Sequence, residues 1–390
     1  MLAAVVVLLS LAFGLAAAPA ARTTHATATA AKARSSALAR CMRRAAKARS
    51  KHARAARRRA CRRTAARIRR RQSFGVSVGG ALHNEDPGTL GRDLAAIRRL
   101  HAGWVRLDIN WAVIQDAGPS KYNWAPIDRM VQAARSDGLN VLGAFVYTPG
   151  WARPGGTRAT YGPDPGRYAA FAATATRRYA AVGVHAYEIW NEPNSIDAWT
   201  PSPDPGAYTR LLKAAYPAIK GADARATVVT GGLGPAYDGG GKISPIHFLQ
   251  GIYASGGRGS FDAVGHHPYT FPAYPGQTQP WSPWYQMYGT SPSLRGVMVA
   301  NGDGAKKIWG TEFGAPTGGG GAVTEGIQAK LVSRAITAWT RYRWAGPLFF
   351  YQGRDSGTDG SNREDFFGLL RHDFSAKPAY SVLKNSLSIG

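Results

Sequence analysis

Two glutamates stand out by the residues around them. Glu192 lies in Glu188-Ile189-Trp190-Asn191-Glu192-Pro193-Asn194, after an apolar stretch and before a proline that fixes a turn. Glu312 lies in Ile308-Trp309-Gly310-Thr311-Glu312-Phe313-Gly314, a second carboxylate closing a short apolar run. Two carboxyl groups facing one cleft are what cleavage of an acetal needs. The departing oxygen is a poor leaving group and must be protonated, while the carbon left behind is cationic and must be stabilised or captured by a carboxylate. One glutamate in such a position could equally be a structural partner for an arginine; the two contexts together favour chemistry.

Such a pair needs a scaffold that brings residues 120 positions apart to one mouth. From Ser73 onward short apolar runs alternate with amphipathic stretches rich in Ala, Arg and Leu, the texture of repeated βα units. The strands are expected at Phe74–Gly79, Trp104–Asn110, Val141–Tyr147, Ala186–Trp190, Thr227–Gly231, Phe261–Gly265, Lys307–Gly310 and Pro347–Tyr351. Helices are expected at Thr89–His101, Ala125–Gly138, Pro165–Val182, Pro205–Gly221, Ser244–Gly256 and Thr324–Arg343, several opened by a cap and proline such as Asp164-Pro165 and Asp204-Pro205. Eight strands separated by helices point to an α/β fold, a closed (β/α)8 TIM barrel over 73–390. An open doubly wound sheet is disfavoured because no glycine-rich phosphate fingerprint follows the first strand. In a barrel the reactive groups stand at the C-terminal ends of strands, which is where both glutamates fall.

The formal charge of +26 invites a nucleic-acid reading until its distribution is read. Residues 22–72 hold 19 of the 49 Lys and Arg and no acidic residue, so the remaining 30 basic residues face all 23 acidic ones, leaving +7. That basic segment is a tail of Ala, Arg, Lys, Ser and Thr, disordered or helical, with almost nothing to bury. It reads either as a solvated spacer or as an adhesive for an anionic wall polymer or membrane surface; specific nucleic-acid binding is not expected, because interleaved aromatics are absent. No acidic cluster suggests calcium and no Cys/His spacing suggests zinc.

Residues 1–21 form an apolar run with small residues at Ala16, Ala18 and Ala20, as a secretory signal has, so a secreted or surface-associated protein is expected. No Lys or Arg precedes the run, and its length would also serve as a membrane anchor. Both cysteines, Cys41 and Cys61, lie in the basic segment. On one continuous helix they would sit about 30 Å apart, so a bond between them needs a helical hairpin or a second chain; two free thiols are the alternative.

Trp190-Asn191-Glu192-Pro193 resembles the acid/base motif of clan A glycoside hydrolases, and Thr311-Glu312-Phe313-Gly314 is similar to the nucleophile motif of their family 5 cellulase-like and family 39 β-xylosidase-like members. The resemblance covers essentially all of 73–390. It implies a retaining glycosidase cleaving β-glycosidic bonds in a polysaccharide or oligosaccharide, with Glu192 as acid/base, Glu312 as nucleophile, no metal and no organic cofactor. Arg106, in Val105-Arg106-Leu107-Asp108, is similar to the clan arginine that keeps the nucleophile ionised; Asn191 resembles the residue that binds the sugar 2-hydroxyl. His267-Pro268-Tyr269 resembles the clan's His-x-Tyr element, with the tyrosine hydroxyl near the nucleophile, and His266 beside it faces the other way. At the end of strand eight, where members commonly carry a tryptophan, this chain has Phe349-Phe350-Tyr351-Gln352.

Sugar rings present apolar faces that stack on aromatics, so Trp111, Tyr147, Trp151 and Trp199 after strands two to four, and Trp281 and Trp284 after strand six, are as a set candidate platforms, while any one of them alone is more readily read as core. The stretch Phe271–Tyr288 reads as a loop over the cleft. A non-catalytic carbohydrate-binding or wall-associated protein on the same barrel is the alternative function.

Overall fold

The computed structural model describes residues 38–48, 50–80 and 82–388. The apolar run 1–21 and the first part of the basic segment lie outside them. Among the described residues no helix is long and apolar enough to cross a membrane. Two compact units, Met1–Arg58 and Arg59–Gly390, divide the chain. In the first, residues 38–46 are helical and the helix Lys51–Gln72 begins. Both cysteines are disulfide-bonded, so the free-thiol reading does not hold.

In the second unit eight parallel strands close on themselves in chain order: β1 Phe74–Ser77, β2 Trp104–Asn110, β3 Asn140–Val146, β4 Ala186–Asn191, β5 Thr227–Gly232, β6 Ala263–His266, β7 Lys307–Phe313 and β8 Ala345–Tyr351. Closure is made by β1 pairing with β8, from Phe74 opposite Leu348 to Ser77 opposite Tyr351. The sixth strand starts later than its apolar run suggests because Asp262 turns its carboxylate onto the amide of Val228 (2.9 Å), a side chain taking the place of a ladder bond. Four of the outer helices open on the same device, a carboxylate or hydroxyl cap followed by proline: Asp86-Pro87, Asp164-Pro165, Asp204-Pro205 and Ser244-Pro245.

Two apolar layers hold the barrel. Outward residues of the strands pack on the helices in one continuous core, while Leu142, Ala186, Val229, Ala263, Trp309 and Phe349 fill the barrel's N-terminal end, with Trp104 against them. The Trp104 and Trp309 rings meet edge to face at 5.5 Å. This plug leaves only the C-terminal half of the interior for polar groups. The last turn of Lys51–Gln72, assigned from sequence to a solvated tail, is seated on the domain: the Trp104 indole donates to the Gln72 carbonyl (3.0 Å) and Arg70 to that of Ser386 (3.0 Å). Within Phe271–Tyr288, expected as a loop, a short helix forms at Pro283–Gln286, and a second, Leu294–Ala300, follows before β7.

Candidate active site

Simple strand alternation does not deliver the two glutamates to the mouth; a local irregularity does so in each strand. Along β4, Ala186 and Glu188 face inward, so Trp190 should follow. Instead Trp190 takes φ 74° and turns outward against Trp199 and Tyr168, which brings Asn191 to the inside; Glu192 then takes φ 45°. Left-handed backbone at bulky residues is strained and persists only where the surroundings hold it. Tyr208 supplies part of that hold by donating to the Ile189 carbonyl (2.7 Å) and accepting from the Gly231 amide (2.6 Å). Along β7 the pairing with β8 shifts register between Gly310 and Phe313. The irregularity lets Glu312 reach the interior although Trp309 already faces it, the re-aiming that bulges perform beside functional sites.

Arg106, on the inward face of β2 and 2% exposed, organises the centre. Its Nε donates to Glu188 Oε2 (2.5 Å), Nη1 to Glu312 Oε1 (2.8 Å) and to Ser77 Oγ (3.2 Å), and Nη2 to Asn191 Oδ1 (2.7 Å). Burial disfavours the guanidinium charge, but Glu188 and Glu312 outweigh it and keep Arg106 cationic. Glu188 is completed by the Gly232 amide (2.8 Å). On the far side Tyr269 donates to Glu312 Oε2 (2.8 Å), and His267 Nδ1 lies 2.9 Å from Glu192 Oε1 and 3.6 Å from Glu312 Oε2. Burial alone would raise the Glu192 carboxyl, yet the bond to His267, its charge and that of Arg106 hold it below the ordinary value. His266 points away, its Nε2 donating to the Pro283 carbonyl (3.0 Å), and burial lowers its pKa to about 4.

One oxygen of Glu192, one of Glu312 and a nitrogen of His267 all lie within 4.8 Å of one another. Three donor atoms at that spacing could also hold a cation. Here both glutamates already accept hydrogen bonds from His267, Tyr269 and Arg106, and a cation would meet the guanidinium 2.8 Å from Glu312. The arrangement suits proton transfer and nucleophilic attack at one carbon between two carboxyls.

The structure therefore brings together Glu192, Glu312, Arg106, Asn191, His267 and Tyr269. The aromatic candidates divide. Trp111 is fully buried, stacked on Phe171 at 5.4 Å, and cannot offer a face to a sugar; Trp199 and Trp284 are likewise in the core. Their size explains it, since large aromatics at strand ends fill the space between barrel and helices. Trp151 is partly exposed, with its indole donating to the Gln115 carbonyl (2.7 Å) and its ring edge on Trp111. Tyr147 follows β3 at φ 67°. Trp281 remains exposed.

Several positioning residues carry no sequence signal by themselves. A Cβ on Gly234 would come within 2.6 Å of the Glu192 carboxyl, and one on Gly232 within 2.2 Å of His267 Nε2. Buried Asn194 ties the two rim loops together, accepting from the Gly234 amide (2.8 Å) and donating to the Gly234 and Ile243 carbonyls (2.9 Å each). Glu188 was legible only as part of a strand.

In structure the protein is similar to glycoside hydrolases of families 39 and 5 of clan A over most of the chain. A family 39 glycoside hydrolase from Bacteroides cellulosilyticus matches at TM-score 0.65 and 26% identity, over 82% of this chain and 64% of that one. This chain thus spans less than two thirds of that protein's length. A monomeric β-xylosidase from Caulobacter crescentus matches at TM-score 0.57 and 17% identity, over 80% and 67% of the two chains. A family 5 glycoside hydrolase from Bifidobacterium longum matches at 0.59 and 17%, over 82% and 79%. No protein-family model matches the chain, and no curated protein does.

Proposed function

We propose that the protein is a retaining glycoside hydrolase acting on β-glycosidic bonds, with Glu312 as nucleophile and Glu192 as acid/base. The observation that carries this reading is the approach of the two carboxyls to within 4.8 Å at one mouth. Retaining pairs stand about 5 to 5.5 Å apart, whereas inverting pairs leave about 6.5 to 9.5 Å for a water between them.

In the first step a Glu312 oxygen attacks the anomeric carbon while the Glu192 proton passes to the departing oxygen, giving a glycosyl ester and a free alcohol. In the second, Glu192 takes a proton from water as its oxygen attacks the same carbon, and Glu312 leaves as carboxylate. Arg106 and Tyr269 each donate to one oxygen of Glu312 and so fix the orientation of the carboxyl that attacks. Asn191 spends its oxygen on Arg106, so its amide hydrogens remain to meet the sugar 2-hydroxyl. Glu192 must carry a proton in the first step although His267 favours its anion; the pair holds that proton jointly across the 2.9 Å bond.

The test is inactivation with activated 2-fluoro glycosides of several sugar series, followed by peptide mass spectrometry. A covalent sugar on Glu312 is expected. A labelled residue other than Glu312, or a folded protein that no series labels and that cleaves no aryl glycoside, overturns the assignment.

A further inference from the structure

Three of the four carboxyls around Arg106 are engaged: Glu188 by Arg106 and Gly232, Glu312 by Arg106 and Tyr269, Glu192 by His267. The fourth is Asp108. It follows Arg106 by two positions on the inward face of β2, is 8% exposed, and accepts no hydrogen bond from any described residue. A carboxyl that reaches the mouth and takes no hydrogen bond from the protein keeps its acceptor capacity for a ligand. Beside it is the hydroxyl of Tyr147, which has no hydrogen-bond partner among the described residues either; Tyr147 immediately follows β3 and is held at a left-handed φ of 67°. Both border the space above Gly80, whose Cβ would stand 3.0 Å from Asp108 Oδ2 and 3.7 Å from the Tyr147 hydroxyl.

The position of this pair assigns it a ligand. Glu192 stands on β4, so the departing group lies toward β4 and β5, and the sugar that is retained on Glu312 extends the opposite way, toward β1 and β2. On the proposed glycosidase reading, we infer that Asp108 and Tyr147 form a clamp for ring hydroxyls of a neutral pyranose on the retained side, and that Asp108 rejects uronic acids. A carboxylate accepts from two adjacent hydroxyls, and the Tyr147 hydroxyl can donate or accept beside it. A sugar carboxylate at this place would meet Asp108 in a site where Arg106 is already shared between Glu188 and Glu312. Burial, with Glu312 and Glu188, pushes Asp108 up to about 6 against the field of Arg106.

The experiment measures kcat/KM of the full chain, Asp108→Asn and Asp108→Ala on aryl β-glucoside, β-xyloside and β-glucuronide, and binding of methyl glycosides and their monodeoxy analogues by calorimetry. Asp108→Ala should lose about 10- to 100-fold on the preferred neutral glycoside, the range for a hydrogen bond to a charged group. Removing the clamped hydroxyl from the sugar should cost the wild type a similar factor and the variant little more. Asp108→Asn should narrow the preference for neutral sugar over uronide at least tenfold, and carries the test if the alanine variant fails to fold. Losses that multiply, an unchanged preference in Asp108→Asn, or a wild type that binds no neutral sugar overturns the clamp. A wild type that binds neutral sugars through Asp108 but cleaves none keeps the clamp and overturns the hydrolase reading.

Discussion

Nδ1 of His267 lies 2.9 Å from Oε1 of Glu192, so a fully buried imidazole and a carboxyl at the barrel mouth share one hydrogen. Burial pushes the imidazole toward neutrality, but Glu312 and Glu192 outweigh it and raise its pKa above 6.5. Glu192 moves oppositely, below 4.5, because His267 and Arg106 overcome its own burial.

The pair should therefore lose its last proton above pH 6.5, and the alkaline limb of kcat/KM should report that loss. In His267→Asn the proton belongs to Glu192 alone, and the limb should move to lower pH by about one unit or more. A limb that stays in place would show that the shared proton is not the one delivered to the leaving group.

The same pair makes a prediction for folding. A raised imidazole contributes stability that is complete below pH 6.5 and is lost as pH rises through its folded value. A lowered carboxyl contributes stability present above pH 4.5 and lost as pH falls through its folded value. The Tm difference between wild type and His267→Asn should peak between these two values, and a difference independent of pH would contradict the ion pair.

Arg106 and Glu188 are 3% and 0% exposed at the side chain, so removing either leaves a buried charge. Arg106→Met should cost about 3 to 5 kcal/mol in urea unfolding, and adding Glu188→Met should recover part of it. Equal stabilities for the single and double variants would mean that the two charges are not coupled.

Gly234→Ala should separate catalysis from folding. Its methyl would stand 2.6 Å from the far end of the Glu192 side chain, which can swing away at little cost to the fold. Turnover should fall about 100-fold or more, the low end of what acid catalysis contributes, with Tm nearly unchanged. Normal turnover would show that the site tolerates a displaced acid.

The barrel was legible because period-two apolar runs, helix caps and prolines mark each βα unit, and because both glutamates close such runs. The way they reach the interior was not. Alternation alone sends Trp190 inward, and only the left-handed φ at Trp190 and Glu192 and the shifted register of β7 show otherwise. Trp111 and Trp199, open to either a platform or a core role in sequence, fall in the core, because a strand-end tryptophan looks the same whether it faces a cleft or a helix. Gly232 and Gly234 act by leaving room, and Asp108 by lacking a partner, properties that exist only in three dimensions. The helices Pro283–Gln286 and Leu294–Ala300 were hidden because short helices in a stretch rich in proline and aromatics have no periodicity to read.

Closure by Phe74–Ser77 against Leu348–Tyr351 also dictates an order of events during synthesis. The first strand can pair with its neighbour early, but its other edge has no partner until the ribosome has made Ala345–Tyr351. Until then the nascent sheet carries two open edges, the condition in which strands recruit wrong partners. Emergence of Ala345–Tyr351 is therefore the step that removes both open edges of the nascent sheet at once.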